Sequence, residues 1–143
     1  PTRRSTEIFN QVQLTRKIGR NWHGHIHWSA KSLMENRDGI VQRLAGCYTQ
    51  PAAVPPMTWL KRQKPESPGV GAMVKSGKTS LRWQVDSATQ RVAIQARNGR
   101  SWRTLRIAPA SQGNLEIPRA DAIAVTALDR FGNASPPKVL ALP

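Results

Sequence analysis

Near Gly71 the hydrophobic pattern of this 143-residue chain changes from a helical period to a period of two. A helix-period pattern does not settle as a strand, nor the reverse, so the switch divides the chain into a helical part and a β part. Thr79-Ser-Leu-Arg-Trp-Gln-Val85 alternates cleanly, placing Leu81, Trp83 and Val85 on one face and Arg82 and Gln84 on the other. Arg91–Arg97 repeats the pattern with Val92, Ile94 and Ala96 inward, and Asn98-Gly99 is a hairpin signal. Further strands are expected over Trp102–Ile107, Asn114–Ile117, Ala122–Leu128 and Lys138–Leu142. Gly113, Pro118 and Asp129-Arg-Phe-Gly-Asn133 fall between them as turns. About seven short strands with regular turn signals predict a sandwich of two antiparallel sheets. Trp83, on the inward face, is expected to be core.

The first part reads differently. Ser5-Thr6-Glu7 is a helix start, with a hydroxyl cap and an acid in the first turn. Ile8, Phe9, Val12 and Ile18 follow at roughly helical spacing up to Gly19, and Arg16, Lys17 and Arg20 gather at the C-terminal end. His25–Trp28 is strand-like and brief. Ser29 can cap a second helix containing Leu33 and Met34, and Asn36-Arg-Asp-Gly39 predicts a turn before Ile40, Val41 and Leu44 resume. Pro51, Pro55 and Pro56 predict an extended path over Tyr48–Leu60. Met57, Trp59 and Leu60 in it are too apolar for a free linker and are expected to dock. Lys61–Val70, charged and punctuated by Pro65, Pro68 and Gly69, is expected to be the boundary with little to bury. The predicted division is therefore 1–60, a linker at 61–70, and 71–143.

The chain carries 22 Lys+Arg against 8 Asp+Glu, a formal charge of +14. That excess favours an anionic partner such as nucleic acid, anionic lipid or an acidic cell wall. The charge is spread evenly along the sequence rather than clustered on one element, which argues against a dedicated nucleic-acid module. Cys47 is the one cysteine, so an internal disulfide or a cysteine-based metal site is excluded and a small buried thiol is expected. No apolar run approaches the roughly 18 residues needed to span a bilayer. A first residue of Pro1 rather than Met predicts a processed product or a fragment.

Two resemblances add to this reading. Leu81-Arg-Trp83, together with Ile123-Ala-Val125-Thr-Ala127-Leu-Asp129-Arg-Phe-Gly132-Asn133-Ala-Ser135, resembles the second strand and the sixth-strand turn of a fibronectin type III domain. Ile123 stands where that family usually has a tyrosine, so its tyrosine corner is absent. In the first part, Glu7-Ile-Phe-Asn10-Gln11-Val-Gln-Leu-Thr-Arg16 precedes Gly24-His-Ile-His-Trp28-Ser29, and Pro55-Pro-Met-Thr-Trp59-Leu60 follows. Their order and spacing are similar to the C-terminal end of the glycosyl-hydrolase-like family 10 barrel of bacterial cell-envelope proteins. The resemblance implies an α+β fragment: the last βα units of a TIM barrel, then an all-β, immunoglobulin-like sandwich. It further implies a periplasmic or extracellular setting, a missing N-terminal barrel portion as structural partner, and a peptidoglycan-like or other polysaccharide as substrate of the parent protein. No cofactor is expected.

Glycoside hydrolysis needs two carboxylates flanking the scissile bond. Residues 1–64 offer Glu7, Glu35 and Asp38, each with a structural explanation, so this chain alone is expected to be inactive. At the end of a final barrel strand, Trp28 can stack on a sugar face or serve as barrel core. Ser29 can donate to a sugar hydroxyl but is better placed as a helix cap. His23, His25 and His27 alternate, and a two-histidine metal site there lacks an evident third ligand. Arg91, Arg97, Arg100, Arg103 and Arg106 concentrate around the Asn98-Gly99 hairpin with Trp102 among them. This basic and aromatic interleaving suits an anionic glycan or a nucleic-acid backbone, and also suits a solvated face. Two other functions compete with the hydrolase reading. An adhesion or protein-interaction module predicts few exposed apolar side chains in residues 1–64, and a nucleic-acid-binding domain predicts binding that falls steeply with salt.

Overall fold

The helical spacing after Ser5 produces α1 (Ser5–Ile18), with Glu7 in its first turn and Arg16 and Lys17 in its last, where the helix dipole favours each sign. The computed structural model describes residues 4–18, 25–27 and 29–143, in two compact units that divide after Thr49. Its architecture is mixed α+β, with two antiparallel sheets and few helices.

In the first unit α1 is followed by α2 (Ala30–Met34), a 3-10 turn over Arg37–Gly39, and α3 (Ile40–Ala45). The turn falls where Asn36-Arg-Asp-Gly39 places it. Asn36 and Asp38 adopt left-handed φ values of 46° and 51°, a conformation that Asn and Asp tolerate better than most residues. Asn36 Oδ1 accepts a 3.0 Å hydrogen bond from Val41 N–H and so caps the first turn of α3. The buried core is small: Val12, Ile40, Leu44 and Cys47, with Ile8, Phe9 and Leu33 half-buried against it. Cys47 is the expected buried thiol.

The start of α1 departs from the expected hydroxyl cap. Asp38, 33 residues away, accepts from both Ser5 N–H (2.8 Å) and Ser5 Oγ–H (2.9 Å) on the same oxygen, while Arg43 Nε–H donates to Ser5 Oγ at 3.1 Å. A carboxylate satisfies a helix-end donor better than a hydroxyl, because the bond is charge-assisted. The backbone and hydroxyl bonds from Ser5 hold the Asp38 carboxyl below the usual Asp range, with Arg43 and Arg4 adding attraction. A depressed folded-state pKa gives stability that is present above the unfolded value, about 3.9, and lost as pH falls through the folded one. Helical circular dichroism of the native chain should therefore decline below about pH 4. In Asp38→Asn that acid step should disappear, and its persistence would exclude Asp38 as the source.

His25–His27 forms no strand, so the expected barrel strand over His25–Trp28 is absent among the described residues, and Trp28 lies outside them. The physical reason is plain. A barrel strand is held by ladder bonds to both neighbours, and both sheets of the structure are built from residues 69–141.

The second unit, Gln50–Pro143, holds the sandwich. One sheet has the order β1-β2-β5, from β1 (Gly69–Lys75), β2 (Lys78–Gln84) and β5 (Asn114–Pro118). The other has the order β4-β3-β6-β7, from β3 (Thr89–Asn98), β4 (Ser101–Pro109), β6 (Ala122–Asp129) and β7 (Lys138–Ala141). In this unit every expected strand forms within a few residues of its predicted span. The alternation holds most cleanly in β2, whose Thr79, Leu81 and Trp83 are buried between exposed neighbours. Leu81, Trp83, Val92, Ile94, Ile123 and Val125 centre the core, and Trp83 Nε1–H donates to Ala110 C=O at 3.1 Å. The hairpin turn sits one residue later than the dipeptide predicts. Asn98 pairs with Ser101, leaving Gly99 (φ 61°) and Arg100 as the loop.

The segment entering the sandwich is less of a linker than its composition predicts. Met57 N–H donates to Phe131 C=O (2.8 Å), and Gln50 Oε1 accepts from Thr104 N–H (2.9 Å). Pro65 and Pro68 are buried, and Glu66 N–H reaches Asp86 Oδ2 at 3.2 Å. Of the three apolar residues expected to dock, Met57 does so. Trp59 is 77% exposed and Leu60 58%. A tight turn in which Leu60 N–H and Lys61 N–H both bond to Met57 C=O turns them outward.

The far end of this strap is tied to the β6–β7 turn. Asp129, 2% exposed at its side chain, accepts from Phe131 N–H (2.8 Å) and Asn133 N–H (2.9 Å) on Oδ1, and from Asn133 Nδ2 (3.0 Å) on Oδ2. Asn133 Nδ2 also donates to Lys61 C=O at 3.0 Å, and Lys61 Nζ lies 3.9 Å from Asp129. Burial alone would raise the Asp129 pKa. The donors from Asn133 and Phe131, with Lys61, outweigh it and hold the carboxyl below its usual range.

Candidate functional site

Ser29 occupies the N-cap position of α2 with extended backbone (φ −106°, ψ 161°), and it is exposed. Its hydroxyl makes no capping bond, so the helix cap expected of it is met only by backbone position. Trp28, the residue expected to stack on sugar, lies outside the described residues.

The neighbouring histidines converge on a residue the sequence did not single out. His27 Nε2 is 2.7 Å from the Tyr48 hydroxyl, and His25 Nε2 contacts the same oxygen. The two imidazoles meet edge to face with centroids 4.9 Å apart, and the Arg16 guanidinium lies 5.3 Å from the centre of the Tyr48 ring. A phenol has one proton, so Tyr48 can donate to one imidazole and must accept from the other. The two rings are then opposite tautomers at Nε2. Partial burial, followed by the charges of His27 and Arg16, pushes the His25 pKa down, and partial burial pushes Tyr48 up. Among the described residues no three His, Cys, Asp or Glu side chains are grouped to hold a metal.

The three carboxylates of the first unit have partners suited to structure. Gln11 Nε2 donates to Glu7 (3.1 Å), Glu35 meets Arg37 (2.6 Å) and Lys31 (3.7 Å), and Asp38 holds Ser5.

The arginines around the hairpin do not share one face. Register places Arg97 opposite Trp102, and the guanidinium lies 5.7 Å from the indole centre. Arg103 faces Ala96, which points to the core side of β3, so it extends from the opposite face of the edge strand, whereas Arg106, beside the bulge, lies with Arg91 and Ile107. The register shift between Ile94 and Gln95 adds one residue to β4 and sets Arg106 beside Ile94. Arg100 is in the turn itself. Arg97 and Trp102 therefore form one side of the expected patch, and Arg103 the other. Arg97 Nε is buried with no hydrogen-bond partner among the described residues.

No protein-family model matches the chain, and no curated protein does. Several solved structures resemble part of it, two of which are glycan-acting by their descriptions. One is the glycoside hydrolase domain of Spr0440, Endo-D, from Streptococcus pneumoniae R6, at 15% identity and TM-score 0.47, over 57% of this chain and 15% of that one. The other is the Clostridium perfringens spore cortex lytic enzyme SleM, at 13% identity and TM-score 0.42, over 55% and 28% respectively. The chain thus spans less than a third of the length of either.

Proposed function

We propose that this chain is the C-terminal part of a cell-envelope glycoside hydrolase acting on peptidoglycan-like or other polysaccharide. In this reading residues 1–60 complete a (β/α)8 barrel. The sandwich is a fibronectin type III-like accessory domain that positions the barrel on its glycan, in the periplasm or outside the cell. One observation carries the reading: the first unit exposes apolar side chains far in excess of what its core uses. Among the described residues Ile26 is 92% exposed, Met34 85%, Ile18 67% and Leu14 55%, around a buried core of four. A core that small does not stabilise a free-standing unit, and the uncovered faces suit helices that close against further barrel units. The adhesion alternative predicts the opposite, few exposed apolar side chains in residues 1–64. The sheet orders β1-β2-β5 and β4-β3-β6-β7, with the buried Trp83, support the fibronectin-like assignment of the sandwich.

The catalytic pair would come from the rest of the barrel, since Glu7, Glu35 and Asp38 serve structure here. The present residues would contribute Trp28 as a stacking platform and Ser29 as a hydroxyl donor. Arg97 with Trp102 would contact acidic glycan from one face of the sandwich, with Arg100 in the adjoining turn. The test compares this chain with the polypeptide extended through the preceding barrel units, on glycan strands stripped of peptide. The extended protein should release reducing ends, and this chain should release none. An extended protein with its barrel acids intact that leaves such strands uncut would overturn the reading.

A further inference from the structure

We propose that the sandwich carries a binding site for a small carboxylate-bearing ligand with an apolar flank, in the cleft between the strap at residues 51–57 and the strands beneath it. The cleft has a volume of about 570 Å³, within the range of roughly 300–1,000 Å³ that small-ligand sites occupy. Arg91 on β3, Arg106 on β4 and Arg130 just beyond β6 all line it. None of the three has a carboxylate partner among the described residues. The acid lining the same cleft, Asp129, accepts from Phe131 and Asn133, and its single charge is faced by the Lys61 ammonium 3.9 Å away.

Three arginines and one acid in the lining leave an excess of positive charge at the cleft. Guanidinium matches a carboxylate in a two-bond fork, which an ammonium cannot do. The Arg130 guanidinium carbon lies 4.5 Å from the Phe131 ring centre. Most of the remaining lining is apolar, with Pro51, Ala53, Val54, Met57 and Ile107, and Gln90 is its one uncharged polar side chain. The strap bounds the cleft on one side, which selects a small anion over a polymer backbone crossing an open face. The ligand is defined by charge and an apolar flank, so the site does not depend on the barrel reading.

The test titrates the full chain with hexanoate, N-acetylmuramic acid and N-acetylglucosamine by calorimetry and amide chemical shifts. The two sugars share a ring and differ in the carboxylate. Hexanoate or N-acetylmuramic acid should bind and shift the amides around Arg91 and Arg130, more weakly as salt rises, while N-acetylglucosamine should not. The double variant Arg91→Gln with Arg130→Gln should weaken binding at least about tenfold, and Arg82→Gln on the other sheet should leave it unchanged. Hexanoate binding alone keeps the carboxylate site and removes its link to glycans. Equal binding of both sugars, binding of none of the three probes, or binding indifferent to the double variant would overturn the proposal.

Discussion

Asp129→Ala should lower the stability of the sandwich by about 4 kcal/mol and its melting temperature by about 20 °C. The carboxylate accepts three hydrogen bonds inside the protein and faces the Lys61 ammonium. Removing it strands the Asn133 amide and side-chain donors where they are buried, Asn133 being 3% exposed. An unsatisfied buried donor costs about 1–3 kcal/mol, and two or three are left here. Asp129→Asn should cost roughly half as much, because its carbonyl can keep both backbone bonds while its amide faces the Asn133 amide. The carboxyl is held below its ordinary pKa in the fold, so its contribution is complete at neutral pH. It is lost as pH falls through the folded value, below about 3.9. Calorimetry of the sandwich transition in both variants decides the matter. A loss under about 1 kcal/mol in Asp129→Ala would mean that water replaces the carboxylate at no cost.

Gly132→Ala should cost about 3 kcal/mol by a different route. Gly132 has φ 78°, a left-handed conformation costing an L-residue with a side chain roughly 1–2 kcal/mol. A Cβ there would also sit 2.8 Å from Val54 C=O and 2.9 Å from Pro55 C=O. Both obstacles are backbone, so no side chain can swing aside. The turn must open or the strap must lift, and lifting it breaks the Met57–Phe131 bond. Amide exchange should show this directly: Met57 should lose protection in Gly132→Ala while β2 and β3 keep theirs. Unchanged protection at Met57 would show that the turn absorbs the methyl.

The strands were the most legible part of the chain because period-2 alternation is local. Thr79–Val85 shows its buried face in seven letters, and Leu81 and Trp83 stand in the core accordingly. β1 was harder, since Gly69, Gly71 and Ala72 dilute its alternation, and its burial is partial throughout. Asp129-Arg-Phe-Gly-Asn133 was readable as a turn. Its partnership with Lys61 was not, because nothing in composition links two residues whose contact is made by a carbonyl and an amide far apart in sequence. The same holds for Asp38 at the start of α1 and for Tyr48 between two imidazoles. Each pairing joins residues more than twenty positions apart through single polar atoms, which leave no periodic trace. The hairpin arginines were legible as a charge cluster, but a one-residue bulge decides which side each takes, and a bulge has no signature in Ile94-Gln95.

The buried prolines before β1 carry a practical consequence for anyone isolating the sandwich. A truncation at Gly71, where the letters change rhythm, would delete two residues of an edge strand, discard Pro65 and Pro68, and remove the roof over Arg91 and Arg130. An excision that starts at Gln50 keeps all three, and is the shorter piece that should behave as the intact protein does.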